Sequence, residues 1–193
     1  VWLIMIENAS TYKPPARLSP SSVGTYRQCP LRYRLSRLDE VPEPPTQEQL
    51  RGSFVHEILE RLFMVAPEER TLAQARIIAS DLWNTKWNEQ VKNSLHLSER
   101  DQRRWRWHAW WCVEEYFLIE DPMKVHPTGL ETRLEGAVAG VPFVGIIDRW
   151  LINDDGRATI TDYKTGKAPQ ERYAADKIFQ IMVYADMLSD QHD

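Results

Sequence analysis

The chain has 193 residues, 42% of them hydrophobic, and a formal charge of −4, which suits one domain with a single core and excludes a polycation that coats nucleic acid. Basic groups are instead local: Arg17, Arg27, Arg32, Arg34 and Arg37 fall in one early segment, and Arg100, Arg103, Arg104 and Arg106 form a second cluster that reads equally well as a solvated helix face. The two distant cysteines, Cys29 and Cys112, make no disulfide framework, so a reducing compartment, the cytoplasm, is expected.

The opening Val1-Trp2-Leu3-Ile4-Met5-Ile6 is apolar but too short to span a bilayer, and it lacks the basic flank of a signal peptide. Ser19-Pro20 is a helix start, with serine as N-cap and proline at the first helical position. That helix should break near Cys29-Pro30 and resume through Arg37. Val41-Pro42-Glu43-Pro44-Pro45 is a stiff connector. Helical spacing then predicts helices over 46–64, 72–92 and 99–119. In the last of these, Trp107, Trp110, Trp111 and Phe117 form the expected apolar stripe.

After His126-Pro127 the pattern changes to short alternating segments. Strands are predicted over 130–138, 142–152 and 157–164, with turns at Ala139-Gly140 and at Asn153-Asp154-Asp155-Gly156. A final amphipathic helix over 171–189 puts Ile178, Ile181, Ala185 and Leu188 on one side. Helices, a three-strand meander and a helix packed on it make an α+β or α/β layout. The expected organisation is an N-terminal extension over 1–18, a helical region over 19–126 and a sheet-and-helix core over 127–193, all in one structural domain.

The most informative stretch is Ile160-Thr161-Asp162-Tyr163-Lys164-Thr165-Gly166-Lys167. Alternation along a strand puts Asp162 and Lys164 on one face, roughly 6–7 Å apart. Asp148 arrives from the neighbouring strand, and two acids with a lysine can hold a hard cation and position a water beside it. An exposed hairpin with an ordinary Asp–Lys pair would carry the same residues. Upstream, His56 and Glu60 lie four apart on one face of a helix, off the face of Val55, Ile58, Leu59 and Leu62. Gln180 and Tyr184 are likewise four apart on the last helix, off its expected apolar stripe.

In this order the pieces resemble the PD-(D/E)XK nuclease superfamily, and within it the RecB-like exonuclease branch that includes the CRISPR-associated adaptation nucleases. The matching residues are Ser19-Pro20-Ser21 with Tyr26, Cys29-Pro30 and Tyr33, then Gly52, His56 and Leu59-Glu60. They continue through Gly145-Ile146-Ile147-Asp148-Arg149, Asp162-Tyr163-Lys164-Thr165-Gly166-Lys167, and Gln180 with Tyr184. The resemblance implies a restriction-endonuclease-like core, a β-meander flanked by helices, behind an N-terminal helical region. It implies Asp148 and Asp162 as carboxylate ligands of Mg²⁺ or Mn²⁺, with His56 and the backbone carbonyl of Tyr163 completing the shell. Lys164 would orient or help deprotonate the attacking water. Gln180 and Tyr184 would touch the nucleic-acid backbone or buttress the site. Glu60, Glu131 and Arg149 are expected in DNA-binding or supporting roles.

The implied function is a metal-dependent deoxyribonuclease, expected to be exonucleolytic, acting on single-stranded DNA or free ends in recombination, repair or phage DNA processing. Recombination or repair proteins are the expected partners, and no membrane is. A nuclease-fold subunit that binds DNA or a partner without cutting is the alternative. Many members of the branch carry a 4Fe–4S cluster held by four thiolates. Cys29 stands where the first would be, and three more cysteines near the C-terminus have no counterpart in this chain. The expectation is therefore a C-terminally shortened piece of a longer cluster protein, or a cluster-free member in which Cys29 merely packs.

Overall fold

The computed structural model describes residues 15–166 and 174–192. The expectations placed on residues 1–14, on Lys167 and on the start of the last helix at Glu171 lie outside those residues. Chain order runs α1 (Pro20–Gln28), α2 (Pro30–Tyr33), α3 (Gln47–Met64), α4 (Leu72–Leu82), α5 (Asn88–Leu95), α6 (Glu99–Ile119), β1 (Gly129–Val138), β2 (Val141–Ile152), β3 (Ala158–Thr161) and α7 (Ala174–His192). The three strands form one antiparallel meander in the order β1-β2-β3. This is the mixed α/β, restriction-endonuclease-like fold.

Local chemistry sets the boundaries. Ser19 caps α1 in a capping box with Ser22, and Pro20 starts the helix; Thr46 does the same for α3 with Gln49. The chain breaks at Cys29 and restarts at Pro30, as expected, because proline has no N–H to continue the ladder. The helix expected over 72–92 is interrupted by a π-helical turn at Trp83–Trp87 before α5 begins. The β1–β2 turn uses positive φ at both Ala139 and Gly140, as a tight two-residue hairpin requires.

Two apolar clusters enclose the sheet. One joins α3 to α6 and holds Phe54, Leu62, Trp83, Trp105 and Val113. The other packs one face of the sheet on α7, through Leu134, Phe143, Ile147, Trp150, Val183 and Met187. Leu18 extends the sheet by bridging Phe143 in parallel, with Leu18 N donating to Pro142 O at 2.9 Å and Val144 N to Leu18 O at 2.8 Å. Among the described residues no helix is long and apolar enough to cross a membrane.

Several expected faces are corrected. The buried side of α6 is Trp105, Ala109, Val113 and Tyr116, spaced i, i+4, i+8, i+11. Trp107 is 61% exposed and Trp111 49%, while Trp110 and Phe117 are partly buried against the helical cluster, so only half of the expected stripe packs on the core. On α7 the buried residues are Val183, Tyr184, Met187 and Leu188, while Ile178 is exposed; Tyr184 is a core residue. Cys29 is exposed rather than packed, and its Sγ accepts from Arg32 N at 3.4 Å. β3 stops at Thr161, so Asp162 and Lys164 follow the strand instead of lying within it.

Candidate metal centre

The pairs 130↔149 and 132↔147 bracket Glu131 and Asp148, which puts those two residues opposite each other. Around them the pleat reverses. Ile147 and Trp150 both pack toward α7, whereas Leu151 packs toward the helical cluster and Arg149 reaches Glu120 at the end of α6. Strict alternation would give Ile147, Arg149 and Leu151 one face. Glu131 takes the reversal in its backbone, at φ 41°, a conformation that costs a non-glycine residue of order 1–3 kcal/mol and clusters at functional sites.

The result is a cluster. Ligating atoms of His56 (α3), Glu131 (β1) and Asp148 (β2) all lie within 4.8 Å of one another. His56 Nε2 is 2.8 Å from Tyr163 O, and its Nδ1 is 3.5 Å from an Asp148 oxygen. Asp148 Oδ2 accepts from Tyr163 N at 2.6 Å. Glu60, one turn along α3 from His56, adds its negative charge to the field at Glu131.

The electrostatics follow from this crowding. Burial raises the pKa of Glu131, and the charges of Asp148 and Glu60 raise it further, against the opposing pull of His56. For His56 burial works against the imidazolium, but the hydrogen bond and charge of Asp148 and the Tyr163 carbonyl outweigh it. Its pKa rises above 6.5. Three acids around one histidine is a set of negative groups that a cation would relieve.

The residues fit a hard divalent ion. An octahedral ion with ligands at about 2.1 Å spaces neighbouring donors roughly 3 Å and opposite ones roughly 4 Å apart. Donors gathered within 4.8 Å need to close by at most about 2 Å to reach that spacing, a side-chain rotation rather than a backbone movement. Two carboxylates and an imidazole form a donor set that can hold a divalent metal ion.

Asp162 sits beside this cluster, not among the three residues whose donors converge. It is ion-paired with Lys164, and its Oδ1 accepts from Gln180 Nε2 at 2.9 Å. Gln180 Nε2 also reaches Tyr184 OH at 3.1 Å. Tyr184 in turn packs on Gly145, where a Cβ would run into its ring. An open cleft of about 1170 Å³ is lined by His56, Asp162 and Lys164, between α3 and α7.

Arg149 is 2% exposed. Its guanidinium forms a two-pronged pair with Glu120 at 2.8 and 2.9 Å and also donates to Tyr116 OH at 3.1 Å and Thr161 Oγ1 at 2.9 Å. It lies 4.7 Å over Phe63 and 5.8 Å over Tyr163. Neither Glu120 nor Tyr116 was singled out by the sequence, because a helix-end glutamate looks like any exposed acid until its partner is placed. Cys29 lies on the α1–α2 junction and Cys112 on α6 near Thr165, and the two cannot supply four thiolates.

Fold and cluster together define a restriction-endonuclease-like protein with a candidate divalent-cation site. The family model of the PD-(D/E)XK nuclease superfamily matches residues 17–193, and the chain belongs to that superfamily. No curated protein and no solved structure matches it.

Proposed function

We propose that this protein is a Mg²⁺- or Mn²⁺-dependent deoxyribonuclease, acting exonucleolytically on single strands or free ends during DNA recombination, repair or phage DNA processing, as the RecB-like branch does. The observation that carries the reading is the convergence of His56, Glu131 and Asp148 within 4.8 Å, in a chain of a nuclease superfamily.

His56, Asp148, Glu131 and the Tyr163 carbonyl would hold the ion, with Asp162 as a further carboxylate ligand. A bound divalent cation acidifies water and offsets the charge that develops on a phosphodiester under attack. The protein's own groups do the rest. Asp148 fixes the Tyr163 peptide, so that its carbonyl faces His56. Gln180 holds Asp162 from α7, with Tyr184 behind it. Lys164, paired with Asp162 at the cleft, orients the attacking water and sets a positive charge beside the scissile phosphate. Glu60 and Arg149 act from behind, Glu60 through its charge and Arg149 by tying β2 to α6 and to β3.

Cleavage of end-labelled single- and double-stranded DNA, with Mg²⁺, Mn²⁺ or EDTA and beside Lys164→Ala, tests this. Metal-dependent release of nucleotides from an end, lost in Lys164→Ala, is expected. Cleavage that persists in EDTA, or DNA bound but never cut under any condition, contradicts it.

A further inference from the structure

A second basic and aromatic feature lies on the other side of α3. Phe54 points two residues, or about 200° of helix, away from His56, and it forms part of the floor of a groove of about 350 Å³ between α4 and α6. The rim carries Arg76, Arg103, Arg106, Trp107 and Trp110, and no carboxylate lines it. This is a local concentration of positive charge on a chain of net charge −4.

The arginines are not tied up by strong partners. Arg76 meets Glu114 at 3.7 Å and Arg103 meets Glu99 at 3.9 Å, with all four side chains substantially exposed. Exposed pairs at such distances contribute little, and a phosphate displaces them readily. Arg76 and Arg106 instead sit over indoles, their Cζ atoms 4.7 Å from the Trp110 ring centre and 4.6 Å from that of Trp83, a cation–π contact that engages no hydrogen-bond acceptor and so leaves N–H groups for an anion. Beside them Trp107 projects a largely exposed ring, a residue type that otherwise seeks burial.

We infer that this groove is a docking site for single-stranded nucleic acid, separate from the cation cluster: the arginines take the backbone phosphates and Trp107 stacks a base. Guanidiniums along a groove with an aromatic platform are the two elements that bind single strands without sequence preference. Paired duplex bases would not offer Trp107 a free face, which selects the single strand. An acidic peptide would satisfy the arginines but would have no use for the exposed indole. The inference rests on the nuclease reading only for the class of ligand. A strand held here would be gripped at least a helix diameter, ~10 Å, from the cation cluster.

The test is fluorescence anisotropy of a labelled oligo(dT) of about 20 nucleotides, in EDTA so that no cleavage intervenes, with wild type, Trp107→Ala and Arg103→Ala. Trp107→Ala should weaken binding about 5- to 150-fold, the range for losing one stacked base. Arg103→Ala should lower the slope of log affinity against log salt by about 0.7. Wild-type affinity in both groove variants, equal affinity for duplex of the same length, or displacement by polyglutamate that ignores Trp107 would each overturn the inference. The two readings fail separately: loss of binding in Trp107→Ala without any cleavage by wild type supports the groove and sinks the nuclease assignment, whereas metal-dependent cleavage with unchanged binding does the reverse.

Discussion

The carboxylate of Asp148 accepts the backbone N–H of Tyr163 at 2.6 Å, just past the last ladder pair, Arg149↔Thr161. A side chain has taken the place of a strand carbonyl. That substitution ends β3, fixes the Tyr163 peptide, and leaves its carbonyl 2.8 Å from His56. The strand stops where the site begins.

Glu131 exchanges stability for chemistry. Its positive φ and its raised pKa, from burial beside Asp148 and Glu60, are both unfavourable in the cation-free protein. Asparagine tolerates that backbone and carries no charge. Glu131→Asn should therefore be more stable than wild type to urea in EDTA, by about 1 kcal/mol, while gaining less from added Mn²⁺. Equal or lower stability in EDTA would show that the backbone is not strained.

Removing Arg149 leaves Glu120 partly buried and unpaired and disconnects β2 from α6 and Thr161. Arg149→Ala should lower unfolding free energy by about 3–5 kcal/mol, measured by urea denaturation. Arg149→Lys should recover only part of this, because an ammonium lacks the two-pronged fork. A double-mutant cycle with Glu120→Gln should show strong coupling; additive effects would contradict the clamp.

Gly145 is needed for the approach of α7. A methyl group there collides with the Tyr184 ring, so Gly145→Ala should cost roughly 1–3 kcal/mol by overpacking. Tyr184→Leu in the same chain should restore much of that loss by vacating the space. No rescue would place the strain elsewhere.

The folded pKa of His56 is raised above 6.5 by Asp148 and the Tyr163 carbonyl, against burial. Its imidazolium therefore stabilises the cation-free protein fully below the unfolded value, and that contribution is lost as pH rises through the higher folded value. Cation binding has the opposite sign, because an ion needs the unprotonated ring. Mn²⁺ affinity, followed by calorimetry, should rise up to about tenfold per pH unit across that window for a single linked proton. It should be flatter in His56→Asn.

Much of this was legible in sequence because capping and turn chemistry are local. Ser19-Pro20, Thr46, the 139–140 hairpin and the break at Cys29-Pro30 stand where their residue types put them. The helix faces of α6 and α7 were not. Tryptophans crowd α6 on more than one side, and which of them are buried depends on where α3 and α4 pack, so Trp105 rather than Trp107 is in the core. Around the candidate site, His56, Asp148 and Asp162 could be singled out by type and order. The centrality of Glu131 could not, because it follows from a reversal of the pleat that period-two alternation forbids. Arg149 and Glu120 meet across 29 residues, a distance over which single-residue patterns carry no pairing information.

The most direct test of the central claim is the cleavage rate of a labelled single-stranded oligonucleotide in Mn²⁺ by wild type, Asp148→Asn and Glu131→Gln. Asp148 both joins the cation cluster and fixes the Tyr163 peptide, so its loss should remove several kcal/mol of catalytic stabilisation, about 10²–10⁴-fold in rate, with a smaller loss for Glu131→Gln. An Asp148→Asn protein that cuts at the wild-type rate in Mn²⁺ would contradict the account.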